Sequence, residues 1–489
     1  MKKVQTDVAI IGAGTAGLAA YRAAKAAGAS AVVIEGGEQG TTCARVGCMP
    51  SKLLIAAADA AHHARNAGGF GFHADGLRVD GAEVMDRVRS ERDRFVDFVL
   101  RDIAEMPSAE RFCGHATFID DHSVQVGDHT RIEAKSIVIA TGSQPVISDA
   151  CRALADRVIV NDDVFNWRTL PESVAVIGPG IIGLELGQAL HRLGVRVAVF
   201  GRGGRVGPLG DPKVLACAVS TFRNEFSLEP DARIVSMQQD EKGVAIRRAG
   251  SDGHEKTEHF EFVLAATGRA PCVAELGLRQ TSLKLDAKGV PEFDAHTAQA
   301  HGQTAPSSIF IAGDASNFIP LLHEAADEGR IAGNNAARLA LGKSVEKGLR
   351  RARLAVVFSD PQIAIVGAGF KSLAPRTFAT GVASFENQGR SRILMQNKGL
   401  IHVYACLATG RLLGAEMLAP AAEHLAHLLA WALQSQMTVG QMLDMPFYHP
   451  VIEEGLRTAL RDANLKLLDL HRRPPSGMPA PLQACSAIL

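Results

Sequence analysis

Apolar runs along this chain are punctuated by glycine in a repeating order. Val8–Ile11 is followed by Gly-Ala-Gly-Thr-Ala-Gly, an Ala-rich stretch from Leu18 to about Ala27, and a second apolar run, Ala31–Glu35. The pattern predicts strand, tight turn, helix and strand. It recurs at Val174–Ile177, Gly-Pro-Gly-Ile-Ile-Gly, about Leu184 to Leu193, and Val195–Phe200. Two such units predict a doubly wound α/β architecture with two dinucleotide sites. A charged stretch from about Glu83 to Glu105 has helical spacing.

Two further segments resemble each other. Ser136–Pro145 and Phe262–Pro271 are each an apolar strand running into Ala-Thr-Gly. One follows each glycine-turn unit, so they are expected to mark the seams where the chain passes between domains. From about Leu354 the pattern changes: the runs Leu354–Phe358, Ile363–Gly367 and Leu400–Leu407 lead into a helical stretch, Ala421–Gln434. This predicts a third domain of mixed α+β type. The last residues, rich in Pro and small side chains, are expected to form a flexible tail over 473–489.

Composition narrows the classes. A length of 489 residues exceeds one ordinary core and predicts several domains. The 52 Lys+Arg balance 52 Asp+Glu, which argues against a nucleic-acid or polybasic membrane partner. With 47% hydrophobic and 21% charged residues the chain is not intrinsically disordered. Lys2 and Lys3 before an apolar run resemble a signal peptide, but Asp7 and the glycine spacing speak against one. No membrane-spanning helix is expected, and the cytoplasm is the expected compartment. Eight cysteines are too sparse for a secreted disulfide scaffold, and only Cys43 and Cys48 lie close together.

The candidate chemistry starts with the glycines. Gly12, Gly14 and Gly17 form GxGxxG between strand and helix, where a pyrophosphate can approach the backbone and the helix N-terminus favours its charge. Glu35, 23 residues after Gly12, stands where an acid accepts hydrogen bonds from ribose hydroxyls. Gly178, Gly180 and Gly183 repeat the motif, but the same count from Gly178 reaches Gly201, with Arg202 next and Arg205 near. Guanidinium groups in place of the acid suit a ribose 2′-phosphate; the alternative is that both arginines are solvated loop residues. Cys43 and Cys48, separated by four residues, would stand about one turn from each other on a helix, within reach of a disulfide. A helix N-terminus there would depress a thiol pKa. A redox-active pair and a structural pair both remain open on spacing alone, whereas metal binding would need further Cys or His ligands. Gly313–Asp314 follows the apolar run Ile309–Ala312, at a strand end where carboxylates meet ligands.

The segment Gly40–Lys52, GTTCARVGCMPSK, resembles the active-site signature of the class I pyridine nucleotide–disulfide oxidoreductases. The two GxGxxG units, both Ala-Thr-Gly turns, SIFIAGDA around Asp314 and PFYHPVIEEG around His449 follow in that family's order along nearly the whole chain. GIIGLELG and Phe385–Arg392 are more similar to dihydrolipoamide dehydrogenase than to glutathione reductase. Cys485 stands alone in the tail, unlike the cysteine pairs of mercuric reductases and large thioredoxin reductases. Met49, Val451, Tyr448 and Gly201 depart from the commoner lipoamide-enzyme wording.

The resemblance implies an FAD-binding domain over 1–148 and 268–349, an NAD(P)-binding domain over 149–267, and a dimerisation domain over 350–472. For FAD it implies Gly12, Gly14, Gly17, Glu35, Thr42, Lys52, Ala116, Thr141, Gly142, Ser143, Asp314 and Leu321. Glu35 would hold the adenosine ribose, Asp314 the ribityl chain, and Lys52 would pair with Glu185. For the nicotinamide nucleotide it implies Gly178, Gly180, Ile182, Gly183, Glu185, Gly201, Arg202, Gly268 and Arg269. Cys43 would exchange with the substrate sulfur and Cys48 would face the flavin. His449 would move the proton and Glu454 would hold it, with the histidine supplied across a homodimer. The implied activity is a dihydrolipoyl-dehydrogenase-like oxidoreductase acting on a small dithiol such as dihydrolipoamide, with a 2-oxo acid dehydrogenase complex as a potential partner. The alternatives are an NADPH-dependent reductase of another small disulfide, and a flavoprotein assembly component with little turnover.

Overall fold

The computed structural model describes residues 1–73, 76–250 and 254–472; the expected tail over 473–489, Cys485 included, lies outside the described residues. Each glycine-turn unit builds a sheet whose central strands are parallel, and the first sheet carries antiparallel strands at its margins. In the first, strand Lys2–Ile11 lies between Ala31–Glu35 and Thr130–Ile139, which in turn pairs with Pro306–Ile311. In the second, Ser173–Ile177 lies between Arg196–Phe200 and Phe262–Ala265, with Ser227–Glu229 and Val158–Ile159 at the edges. The inner strands are covered on both faces: Val8, Ala9, Ile10, Val174, Ala175 and Val176 are fully buried. That is why they read as continuous apolar runs. An antiparallel sheet of Arg233–Asp240, Gly243–Ala249 and Glu255–Phe260 accompanies the second unit.

The C-terminal region is a five-stranded antiparallel sheet in the order Leu354–Val357, Gln362–Gly367, Leu412–Ala419, Leu400–Cys406, Phe378–Ser384. Helices Ala422–Gln434 and Glu454–Arg472 pack on it through a core that includes Leu425, Leu429, Leu456 and Leu460. Side chains from three regions meet in one cluster. Leu54 and Ala58 of helix Cys48–Asn66, Leu184 and Leu190 of the second unit, and Val357, Ile363 and Leu418 of the C-terminal sheet are all buried there. The Cys43–Cys48 segment is therefore anchored where the three regions join.

Several boundaries differ from the pattern. The helices after the glycine turns begin at Thr15 and Ile181, earlier than the apolar spacing indicates, because the last Gly of each motif already lies inside its helix. The two Ala-Thr-Gly seams also pair with each other: Ser143–Pro145 and Arg269–Pro271 form an antiparallel ribbon. The chain leaves the first sheet and returns to it side by side.

Candidate active site

Both glycine turns have the same build. Gly12 and Gly178 sit at φ +109° and +111°, and a Cβ on either would lie 2.3 Å from a backbone oxygen, of Ala140 or Ala266. Gly17 and Gly183 press against the first glycine of their own turns, where a Cβ would fall 1.8 and 1.9 Å from its carbonyl oxygen. By contrast nothing lies within 4 Å of where a Cβ on Gly14 or Gly180 would stand, at the helix N-terminus. The turn is closed on the protein side and open on the side where a pyrophosphate would meet the positive end of the helix.

Glu35 ends its strand beside the first turn. Its Oε2 accepts from Ala13 N–H at 2.7 Å and its Oε1 from Gly37 N–H at 2.8 Å, so the carboxylate is aimed along the turn. At the first seam, Thr141 Oγ1 is buried without a hydrogen-bond partner, one free polar contact for a ligand in this cradle. Ser143 Oγ donates to Asp314 Oδ2 at 2.6 Å, and Arg269 donates to Ser143 Oγ at 2.9 Å and to its carbonyl at 2.7 Å. Arg269, assigned from sequence to the nicotinamide nucleotide, thus reaches both ways, to Ser143 beside Asp314 and, at 3.5 Å, to Asn161 Oδ1 of helix Asn161–Val164. Ala116 is buried on strand Ala116–Asp120, Leu321 precedes helix Leu322–Ala340, and Ile182 lies in the first turn of helix Ile181–Arg192. The residues present fit a dinucleotide at each turn.

The cysteine pair corrects one expectation. Cys43 and Cys48 do not share a continuous helix. Helix Thr42–Val46 stops at Gly47, at φ −125° and ψ −116°, and Cys48 begins helix Cys48–Asn66. The break brings the thiols together by a kink and leaves Cys48 at a helix N-terminus. Thr41, one residue before Thr42, caps the first short helix by accepting from Ala44 N–H through its hydroxyl; Thr42 is exposed. The two thiols share one proton unequally. The hydrogen bond from Cys43 lowers the Cys48 pKa from 9.0 to about 7, with the Lys52 ammonium assisting against the effect of burial. The same hydrogen bond, reinforced by burial, pushes Cys43 well up. In the reduced pair the thiolate is Cys48.

Lys52 joins the two units. Its Nζ lies 2.7 Å from Glu185 Oε2, and Glu185 is almost fully buried in helix Ile181–Arg192. The other Glu185 oxygen accepts from Phe358 N–H at 3.0 Å, and Lys52 Nζ stands 4.6 Å from the centre of the Phe358 ring. Phe358 has no motif to mark it; its role appears only once the C-terminal region is packed against both units.

In the second unit, Gly201 explains its own identity. A Cβ there would lie 2.6 Å from both Pro179 Cγ and the Pro230 carbonyl oxygen, so no acidic side chain fits. Arg202 and Arg205 follow on an exposed loop, and Gly268 is at the second seam with open space about it. The loop's carboxylate is Asp231, whose Oδ1 accepts from Gly203 N–H at 2.7 Å. Counting from the glycines could not find it, because it arrives from the neighbouring strand end.

His449 and Glu454 form a pair at the start of helix Glu454–Arg472. His449 Nδ1 lies 3.0 and 3.1 Å from the two Glu454 oxygens, and Glu454 Oε2 also accepts from Val451 N–H. The contact with His449 holds the Glu454 pKa below its ordinary value. This arrangement fixes the ring tautomer, with Nδ1–H on the carboxylate and Nε2 free. Yet the His449 side chain is 81% exposed, so within one chain it does not pack against the Cys43–Cys48 pair.

Residues 6–329 match the family described as pyridine nucleotide-disulphide oxidoreductase, and residues 354–460 match its dimerisation domain. The chain is 30% identical over 468 residues to a mercuric reductase of Streptomyces lividans, covering 93% of this chain and 95% of that one. It is 29% identical over 460 residues to dihydrolipoyl dehydrogenase of Geobacillus stearothermophilus, covering 92% and 94%. Among solved structures it resembles LpdA of Mycobacterium tuberculosis, with TM-score 0.78, 24% identity, and coverage of 94% and 99%. It likewise resembles the HOCl-induced flavoprotein disulfide reductase RclA of Escherichia coli, with TM-score 0.76, 21% identity, and coverage of 94% and 99%. Both likenesses concern the fold. Among the described residues no helix is long and apolar enough to cross a membrane.

Proposed function

We propose a function from one premise, that this chain belongs to the pyridine nucleotide-disulphide oxidoreductase family and uses FAD and NAD(P) as cofactors. It is an oxidoreductase of a small dithiol or disulfide, and its best reading is a dihydrolipoyl dehydrogenase. The observation that carries this reading is the placement of Cys48. Its thiol, held at about pKa 7, starts a helix whose Lys52 is ion-paired to Glu185 of the second unit. The ion pair ties the helix that begins with Cys48 to the unit that would hold the nicotinamide nucleotide, which supports electron passage between the dithiol and that nucleotide.

Gly12, Gly14, Gly17, Glu35, Thr141 and Asp314 would hold FAD; Gly178, Gly180, Gly183 and Arg202 would hold the nicotinamide nucleotide. Bound FAD supplies passage of an electron pair between the dithiol and NAD(P). The chain's own residues conduct the sulfur exchange. A thiolate of dihydrolipoamide attacks Cys43 of the Cys43–Cys48 disulfide, forming a mixed disulfide and releasing Cys48 as thiolate. The second substrate thiolate then attacks the first substrate sulfur, breaking its bond to Cys43, closing the substrate's own disulfide ring and releasing Cys43. His449, held by Glu454, accepts the proton of the first substrate thiol and passes it to water, then accepts that of the second and returns it to Cys43 as it leaves. The dimerisation match supports a homodimer, and the exposure of His449 supports its serving the partner's dithiol.

The exclusion of any side chain at Gly201, with Arg202 and Arg205 beside it, favours a second reading: an NADPH-dependent reductase of another low-molecular-weight disulfide. Anaerobic reduction by NADH and NADPH in parallel, followed by turnover with dihydrolipoamide, tests both. Reduction by NADH with rapid lipoamide turnover supports the first. Reduction by NADPH alone, with turnover of other disulfides, replaces it by the second. Failure of either nucleotide to expose about two new thiols per chain would defeat both readings in favour of an assembly role.

A further inference from the structure

The loop 201–210, which carries Arg202 and Arg205, is held from two domains. Its first part is tied within the second unit. Gly203 N–H donates to Asp231 Oδ1 at 2.7 Å, Gly204 N–H to the Pro230 carbonyl at 3.1 Å, and Gly207 N–H to the Pro179 carbonyl at 2.7 Å. The downstream end is gripped by the C-terminal sheet. Glu416, 1% exposed on strand Leu412–Ala419, accepts through Oε2 from Gly210 N–H at 2.7 Å and Asp211 N–H at 2.8 Å. Its Oε1 accepts from Phe370 N–H at 2.7 Å.

Asp211 is the second half of the grip. One oxygen caps helix Pro212–Arg223 through Lys213 and Val214 N–H; the other accepts from His402 Nδ1 at 2.7 Å and from Tyr404 Oη at 3.0 Å. His402 and Glu416 are register partners on adjacent strands, and His402 Nε2 is buried with no partner. A buried polar network of this kind carries a desolvation cost that apolar packing would avoid. What it adds is direction: two backbone N–H groups and one carboxylate at the loop's end have a single satisfied arrangement against Glu416, His402 and Tyr404.

We infer that Glu416, His402 and Tyr404 are positioning residues for the nicotinamide nucleotide, fixing the 201–210 loop through Gly210 and Asp211 and thereby setting coenzyme affinity from the dimerisation sheet. The inference rests on the reading of the second unit as the NAD(P) site. None of the three need touch the coenzyme.

The test uses the FAD-loaded protein and three variants: His402→Leu, which removes the donor; His402→Asn, which restores an N–H near the position of Nδ1; and Glu416→Gln, which keeps one acceptor oxygen if the leucine variant fails to fold. NADH and NADPH are titrated calorimetrically, and backbone hydrogen exchange is followed over 203–211. In His402→Leu the favoured nucleotide should bind about tenfold more weakly and its KM should rise to match, with kcat and the KM for the sulfur substrate unchanged. Exchange over 203–211 should quicken, and His402→Asn should recover most of the affinity. Unchanged nucleotide affinity beside a lowered Tm would overturn the inference, leaving the network a structural one. Should wild-type protein bind neither nucleotide while exchange over 203–211 still quickens in the variant, the reading of the second unit fails and the coenzyme role falls with it, although the grip itself stands.

Discussion

The unequal sharing of a proton between the two thiols can be measured directly. In the reduced protein, Cys48 owes its low pKa first to the hydrogen bond from Cys43 and then to Lys52. At a thiol pKa of about 7, about half of Cys48 is thiolate at neutral pH; at 9.0 it would be about one part in a hundred. A hydrogen bond to a charged group contributes about 1.5–3 kcal/mol, and one pKa unit is about 1.4 kcal/mol. Removing the Cys43 donor should therefore raise the Cys48 pKa by about one to two units. The direction follows from charge: the donor stabilises only the thiolate, so its loss favours the protonated form. The assay is the pH profile of iodoacetamide alkylation at Cys48, read by peptide mass spectrometry. Cys43→Ala should shift the midpoint upward by that amount, whereas Cys43→Ser, which keeps an O–H donor, should leave it near 7. Coincident midpoints in the two variants would refute the reasoning and hand the shift to Lys52 and the helix N-terminus.

Mixing inactive Cys43→Ser and His449→Ala subunits should restore turnover in the hybrid dimer, because one of its two sites then holds an intact set; hybrids with no activity would place His449 outside a shared site. Cys43→Ser by itself should abolish turnover, and retained activity would remove Cys43 from the exchange role. Arg202→Glu should weaken NADP(H) selectively, and Gly201→Glu should weaken both nucleotides, since the new side chain meets Pro179 and Pro230; equal losses in Arg202→Glu would return that arginine to solvent. Leu54→Ala, at a fully buried position where three regions meet, should cost about 2–5 kcal/mol in denaturant unfolding; a loss under about 1 kcal/mol would mean that the cluster does not join them.

Features of this protein that depend on local geometry were legible in its amino-acid order. Gly12 and Gly178 are glycines because their φ angles and the oxygens of Ala140 and Ala266 exclude any side chain, and that constraint is written at single positions. The fully covered strands announced themselves as apolar runs, and His449 and Glu454, five residues apart, meet at the start of one helix. Contacts between residues far apart in the chain emerged only from the packing. The kink at Gly47 hid behind a spacing that also suits a continuous helix. Phe358 acquired meaning only against Lys52 and Glu185, and Asp231 only against Gly203. The grip of Glu416 and His402 on residues 210–211 spans about two hundred positions, which no periodicity records. Helix and turn preferences act over a few residues and leave a signature there; a buried hydrogen bond between domains is satisfied by whichever residue the packing delivers, and leaves none.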